Sequence, residues 1–167
     1  NEYNAATLDD ISKEALGVKY GIMWVQNGSG LGTAYHAAVS MNDYLSESDM
    51  GFPPVPEQLK AYFEAGKLWN LEDGPAVQDP AARRKVIDRL RGTILAVVTH
   101  LIEKEVVSVE DLELGIQTAL AWPNGPFAMM NEMGMDGAAA LVRDAVDNGM
   151  IKMPKTFAGG TPPAWKV

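Results

Sequence analysis

The sequence predicts an all-α protein made of two related helical subdomains. Apolar residues recur at spacings of three and four along several stretches, as they do on one face of an α-helix. Helix-capping residues precede these stretches, and glycine or proline follows most of them. No segment shows the regular alternation of a half-buried strand. A small mixed domain is the alternative fold class.

Three helices are predicted in the first half of the chain. The first opens with a capping box, Thr7-Leu8-Asp9-Asp10, and the second follows a glycine-rich corner. The third begins at a proline and ends at a glycine, which is the usual order of these two residues around a helix. The expected spans are residues 7–17, 33–44 and 56–66, with the corner at residues 18–32.

The second half begins with the longest predicted helix, which Asp79 caps and Pro80 opens. A second capping box, Ser108-Val109-Glu110-Asp111, starts the next helix, and Trp-Pro-Asn-Gly-Pro-Phe ends it. Asp136 is expected to cap the last long helix, and the C-terminal tail is expected to be irregular. The expected spans are residues 80–106, 108–121, 127–133 and 136–148.

The two halves resemble each other weakly. "TLDDISKEALG" is similar to "SVEDLELGIQTALA", and an alanine-rich helix and a proline-containing segment follow in both halves. The offset is about one hundred residues. We therefore predict one copy in residues 1–78 and another in residues 79–167. The alternative is a chance similarity between two amphipathic helix pairs.

Charge and composition exclude several function classes. The formal net charge is −8, and the one dense basic run, Arg83-Arg84-Lys85, fits the solvated face of a helix. We therefore expect no nucleic-acid partner. No apolar run is long enough to span a bilayer, and no basic segment followed by an apolar core has the pattern of a signal peptide. The chain has no cysteine, which excludes disulfides and thiolate metal sites and fits a cytoplasmic protein.

Residue chemistry alone predicts no catalytic, cofactor-binding or metal site. His36 and His100 belong to no metal-ligand spacing and are interpreted as ordinary helix residues. The run Gly28-Ser29-Gly30-Leu31-Gly32 lacks the spacing and the preceding strand of a dinucleotide loop, so we interpret it as a turn.

Two further clusters also have simple explanations. Glu110, Asp111 and Glu113 lie at a helix start, where the helix dipole favours carboxylates. The four methionines of residues 129–135 can serve a binding surface. Core packing is the favoured interpretation of these methionines.

One long stretch resembles a known family. "SVEDLELGIQTALAWPNGPFAMMNEMGMDGAAALV" is similar to the C-terminal helical domain of 3-hydroxyacyl-CoA dehydrogenases, a domain of the 6-phosphogluconate dehydrogenase C-terminal-like type. The shared features are the acidic helix start, the aromatic-Pro-x-Gly-Pro-Phe corner and the turn Met133-Gly134-Met135-Asp136. The resemblance covers about residues 83–157. Residues 7–75 then look like a degenerate, truncated earlier copy, which keeps Gly21 but lacks the Pro-Phe pair.

This resemblance implies a parent enzyme that oxidises (3S)-hydroxyacyl-CoA with NAD in fatty-acid β-oxidation. The family takes its catalytic His and Glu and its NAD loop from an N-terminal Rossmann domain, which these 167 residues do not contain. The chain is therefore expected to be a C-terminal fragment without catalysis of its own. The implied partners are the Rossmann domain, the acyl-CoA substrate and a second copy in a homodimer.

The corner is the predicted site. It either forms a wall of the substrate site or packs against the other copy. The alternative function is a non-catalytic helical interaction or dimerisation module, and the sequence upstream of Asn1 would discriminate the two. The candidate residues are Trp122, Pro123, Asn124, Gly125, Pro126 and Phe127.

Overall fold

The computed structural model describes residues 3–167, and every regular element in that range is a helix. The all-α prediction is confirmed. None of these helices is long and apolar enough to cross a membrane. The helices are α1 (Ala5–Leu16), α2 (Ile22–Ser29), α3 (Leu31–Leu45), α4 (Glu57–Glu64), α5 (Pro80–Glu103), α6 (Val109–Leu120), α7 (Pro126–Met133), α8 (Met135–Asp147) and α9 (Lys155–Ala158).

The chain divides into two compact units. Unit 1 is Asn1–Ile87 and unit 2 is Asp88–Val167. The division lies inside α5, so the first two turns of this helix belong to unit 1 and the remainder to unit 2. The repeat in the sequence instead places the second copy from residue 79 onward.

Unit 2 is built around α5. Leu95 and Ala96 of this helix are fully buried and share one apolar cluster with Val142 of α8. The two helices approach closely at Gly92, where a Cβ atom would overlap the Leu141 carbonyl group. Only glycine permits this approach, because any side chain would collide with backbone.

Unit 1 contains a small apolar cluster. Leu31, Leu59 and Trp69 form one cluster, which partly buried side chains surround. Arg83 of α5 pairs with two carboxylates of α1, Glu14 at 2.8 Å and Asp10 at 2.9 Å. The hydrogen bond to Glu14 contributes most to raising the pKa of Arg83, and the bond to Asp10 adds to it against the effect of burial.

Several predicted helix starts are confirmed. The Asp79 carboxylate accepts the Ala82 amide at 2.8 Å at the start of α5. The Ser108 hydroxyl accepts the Asp111 amide at 3.1 Å, which caps α6. Pro126 occupies the first position of α7, and the tail is irregular apart from the four residues of α9.

Three local predictions were wrong. Helix α1 is capped by Asn4 instead of Thr7, because the Asn4 side chain accepts the Thr7 amide at 2.9 Å. Helix α2 occupies part of the corner that was predicted to be non-helical. Helix α8 begins at Met135, and Asp136 lies in its first turn, where its carboxylate accepts the Thr161 hydroxyl at 2.6 Å.

Candidate functional site

The corner at residues 121–127 joins α6 to α7 by a sharp reversal. Ala121 leaves α6 in the left-handed region, with φ of 53°. Pro123 cannot continue a helix, and Pro126 suits the first helical position because the amide that it lacks would have no partner within the helix. The backbone of the corner thus follows from its local sequence.

A buried carboxylate fixes the position of α7. Glu113 of α6 is only 8% exposed and accepts the Phe127 amide at 2.6 Å and the Ala128 amide at 3.4 Å. These amides belong to the first turn of α7, where the helix dipole also favours a negative charge. A Cβ atom at Gly125 would overlap the Glu113 carboxylate and would push it away from the α7 amides.

The sequence interpretation of Glu113 was incomplete. Glu110 and Asp111 lie in the first turn of α6, as expected for carboxylates near a positive helix end. Glu113 instead reaches across to the next helix. Spacing could have shown this, because a carboxylate precedes a glycine by twelve residues in both halves, at Asp9 and Gly21 as at Glu113 and Gly125.

The six predicted site residues fall into two groups. Gly125, Pro126 and Phe127 are buried, and the Phe127 ring lies 4.7 Å from the Trp165 ring between centroids. The other three residues reach the surface, Trp122 and Asn124 partly and Pro123 fully. The Asn124 side chain donates to Glu132 at 2.9 Å, which steadies this outer edge. A substrate or a second unit could therefore meet only the outer edge, and either role stays a prediction.

Each histidine makes its contacts within its own unit. His36 is exposed, and its ring lies edge-on to Phe63. His100 is buried, and its Nε2 atom lies 3.0 Å from the Lys152 carbonyl oxygen, to which it can only donate. Its Nδ1 atom is 3.7 Å from the Glu103 carboxylate. His100 therefore ties α5 to the segment after α8. Among residues 3–167 no group of three His, Cys, Asp or Glu could hold a metal ion.

The remaining candidate segments are structural. Residues 28–32 form the junction between α2 and α3, in which Gly30 has φ of 84°, and they provide no phosphate loop. Among the four methionines, Met130 is fully buried, and Met133 and Met135 pack against the same core.

The two units repeat the same backbone features at a constant offset of 104 residues. The shared features are a polar helix cap, a left-handed residue at the helix end, a glycine against a buried carboxylate, and a glycine with φ near 80° between two helices. The pairs are Asn4 and Ser108, Gly17 and Ala121, Gly21 and Gly125, and Gly30 and Gly134.

Side-chain hydrogen bonds are repeated as well. Asp9 is 3% exposed and accepts the Trp24 amide at 2.8 Å, as Glu113 accepts amides of α7. The side chain of Asn27 makes two hydrogen bonds of 2.9 Å with the backbone of Trp69. Asn131 makes the same two bonds, also of 2.9 Å, with Trp165.

Comparison with known protein families assigns the second of these units. The C-terminal domain of 3-hydroxyacyl-CoA dehydrogenase matches residues 86–157, a segment that includes the corner. Over residues 86–157 the chain is therefore similar to a C-terminal helical domain of this family. The resemblance predicted from the sequence is confirmed for this segment. No curated protein and no solved structure matches the chain.

Proposed function

We propose that this chain is the helical part of an NAD-dependent 3-hydroxyacyl-CoA dehydrogenase of fatty-acid β-oxidation. The observation that carries the proposal is the family match over residues 86–157. The rigid corner inside that segment supports it, because the Glu113 carboxylate and Gly125 hold the corner in one position. A fixed surface of this kind suits a helical domain that closes over a substrate and contributes to assembly.

The outer edge of the corner is the surface that we assign to this role. Trp122, Pro123 and Asn124 are accessible, whereas Phe127 anchors them from the core. The three residues of the edge offer an indole ring, a proline ring and an amide, and the neighbouring Glu132 carboxylate is hydrogen-bonded to Asn124. Its contribution would therefore be to shape and position an acyl-CoA.

The residues described do not fit NAD. A dinucleotide site needs a strand, a glycine-rich turn and a helix in sequence, and residues 28–32 instead join two helices. We therefore assign NAD binding and catalysis to a Rossmann domain of the parent protein, with the acyl-CoA and a possible second subunit as the other partners. The chain alone would not catalyse the reaction. A cytoplasmic location belongs to the same proposal and is supported by the lack of cysteine.

Unit 1 belongs to this proposal as a divergent copy of the same domain. Its support is the constant offset at which caps, glycines and buried carboxylates recur. In unit 1, Ile22 and Met23 stand where unit 2 has Pro126 and Phe127.

The test compares the parent protein with the 167-residue chain. NADH formation from (S)-3-hydroxybutyryl-CoA is expected with the parent protein and not with the chain alone. In the parent, Trp122→Ala is expected to raise KM more than it lowers kcat, because a positioning contact is lost. Thr118→Ala, at an exposed position of α6, is the matched control. A parent without this activity, or an active chain alone, would contradict the proposal.

The alternative is a non-catalytic helical interaction module. One observation favours it, since unit 1 exposes large apolar side chains, among them Trp24, Val25 and Tyr44. A parent protein that binds a partner through these residues but forms no NADH would support this alternative.

A further inference from the structure

Unit 1 leaves uncovered a helix face that unit 2 covers. Val142 and Ala145 of α8 are fully buried beneath α5. The corresponding positions of α3, at the 104-residue offset, are Ala38 and Met41. Ala38 is only partly buried, and Met41 is 45% exposed. The same two helix positions are therefore fully buried in unit 2, whereas in unit 1 one is partly buried and the other is exposed.

A cavity of about 240 Å³ lies in unit 1. Helices α1, α2 and α4 contribute to its wall, together with Trp69. At two of the corresponding positions unit 2 carries a larger or more apolar side chain, which is buried in the cluster of α5. These two pairs are Met23 and Phe127, and Gln26 and Met130.

Helix α5 contacts both regions in unit 2. Helix α5 crosses α8 at Gly92, next to the Leu141 carbonyl and the Ala145 side chain. Further along, its Glu103 carboxylate accepts the Thr156 amide of α9 at 2.6 Å. Helix α5 precedes α6 in the chain, whereas no helix precedes α1 within residues 3–167.

We propose that unit 1 binds an apolar α-helix of the α5 type, laid across α3 and into the cavity. The partner has a glycine or alanine where it crosses α3 at Ala37, the counterpart of Leu141, and leucine or isoleucine in the following turns. It is supplied by polypeptide other than residues 1–167. A small ligand in the cavity alone would leave Ala37 and Met41 uncovered. The proposal does not depend on dehydrogenase activity.

The probe is a fluorescein-labelled peptide with the sequence of residues 86–103, added to the intact chain. Fluorescence anisotropy is expected to show saturable binding. Ala37→Glu in the chain is expected to weaken binding at least about tenfold, because a charge would then face an apolar helix. Thr33→Glu is the matched control, since Thr33 is exposed and its counterpart Gly137 is exposed in unit 2.

Two further variants test the crossing geometry. A peptide with leucine in place of the Gly92 residue is expected to bind at least about tenfold more weakly, because the side chain would meet α3 backbone. Ser40→Asp in the chain is expected to tighten binding by about twofold to fivefold, since Asp144, the counterpart of Ser40, lies 3.5 Å from Arg89 in unit 2.

Three results would overturn the proposal. The first is the absence of peptide binding. The second is binding that Ala37→Glu leaves unchanged, because the peptide would then have bound to unit 2 in place of α5. The third is a dimer of the chain in sedimentation equilibrium that Ala37→Glu abolishes, because a second copy would then cover α3.

Discussion

Units 1 and 2 share a set of polar contacts to the backbone, here called the frame, and differ in the apolar side chains packed within it. In both, a buried carboxylate accepts amides from the next helix, and an Asn side chain clamps a Trp backbone. The apolar side chains within this frame differ, and unit 2 alone is built around a long central helix. The comparison teaches that buried polar contacts change less readily than apolar ones, because each lost partner leaves an unpaired group.

One pair of substitutions shows how such a contact can change. The Ser12 hydroxyl accepts the Ile22 amide at 2.9 Å in unit 1. In unit 2 the counterparts are Ile116 and Pro126, and proline has no amide to satisfy. The acceptor and the donor are thus absent together.

A second pair lacks this compensation. The Trp69 indole donates to the Gln26 side chain at 2.7 Å. In unit 2 the counterpart of Gln26 is Met130, and the Trp165 indole nitrogen is buried without a hydrogen-bond partner. Met130 fills the core at the cost of that hydrogen bond.

The largest expected effect distinguishes the two cores. Phe127→Ala is expected to lower the free energy of unfolding by about 3 to 5 kcal/mol, because a fully buried ring leaves a cavity. Met23→Ala is expected to cost less than about 2 kcal/mol, because Met23 is partly exposed beside an existing cavity. Urea denaturation followed by circular dichroism measures both values. Equal losses would refute the difference in core packing.

The shared frame is tested at its two glycines. Gly125→Ala and Gly21→Ala are each expected to cost about 1 to 3 kcal/mol, because the new methyl group would overlap Glu113 or Asp9. Gly115→Ala and Gly28→Ala are the controls, since both lie in helices and have open space around them. The controls are expected to be neutral or to stabilise by up to about 1 kcal/mol in the same urea experiment. If Gly125→Ala destabilised the protein and Gly21→Ala did not, the two glycines would not be equivalent.

A smaller effect is expected from the carboxylates themselves. Glu113→Gln and Asp9→Asn keep an acceptor but remove the charge that faces the next helix. Each is expected to cost about 1 to 2 kcal/mol of unfolding free energy, measured by urea denaturation. Glu110→Gln, in the exposed first turn of α6, is the control and is expected to cost less than about 1 kcal/mol. If either buried substitution left the free energy of unfolding unchanged, that carboxylate would not contribute to the shared frame.

The smallest effect concerns the Ser12 and Ile22 pair. Ser12→Ala is expected to cost about 1 kcal/mol in the wild-type chain, because the Ile22 amide loses its acceptor. In an Ile22→Pro background the same substitution is expected to cost less, because no amide remains and only the bond from the Ser12 hydroxyl to the Asp9 carbonyl, at 2.7 Å, is lost. A double-mutant cycle of unfolding free energies measures this coupling. Additive losses would show that Ser12 acts in another way.

Local features were the ones that the sequence could predict. The caps at Asp79 and Ser108 and the reversal at Pro123 depend on neighbouring residues, and all three are found. The prediction that Thr7 caps α1 was wrong because the Thr7 hydroxyl makes a contact distant in sequence, accepting the Ala76 amide at 2.8 Å. The roles of Glu113 and Gly92 were not foreseen, because each depends on a helix that is distant in sequence.

Helix α2 was missed for a related reason. Glycine and asparagine reduce its helix propensity, and its first turn is held by Asp9 and Ser12 from another helix. The sequence also could not predict that the core of unit 2 is well filled whereas unit 1 has a cavity, because this difference depends on which positions α5 covers.

Native-state hydrogen exchange of two amides tests the central claim most directly. The Trp24 and Phe127 amides each donate to the buried carboxylate of their own unit, Asp9 and Glu113, from positions one residue apart in the 104-residue register. A shared frame with different cores predicts that both amides are protected in the intact chain. It also predicts that Phe127 exchanges at least about tenfold more slowly, because unit 2 has the better-filled core. An unprotected Trp24 amide would contradict the shared frame, and equal exchange rates would contradict the difference in cores.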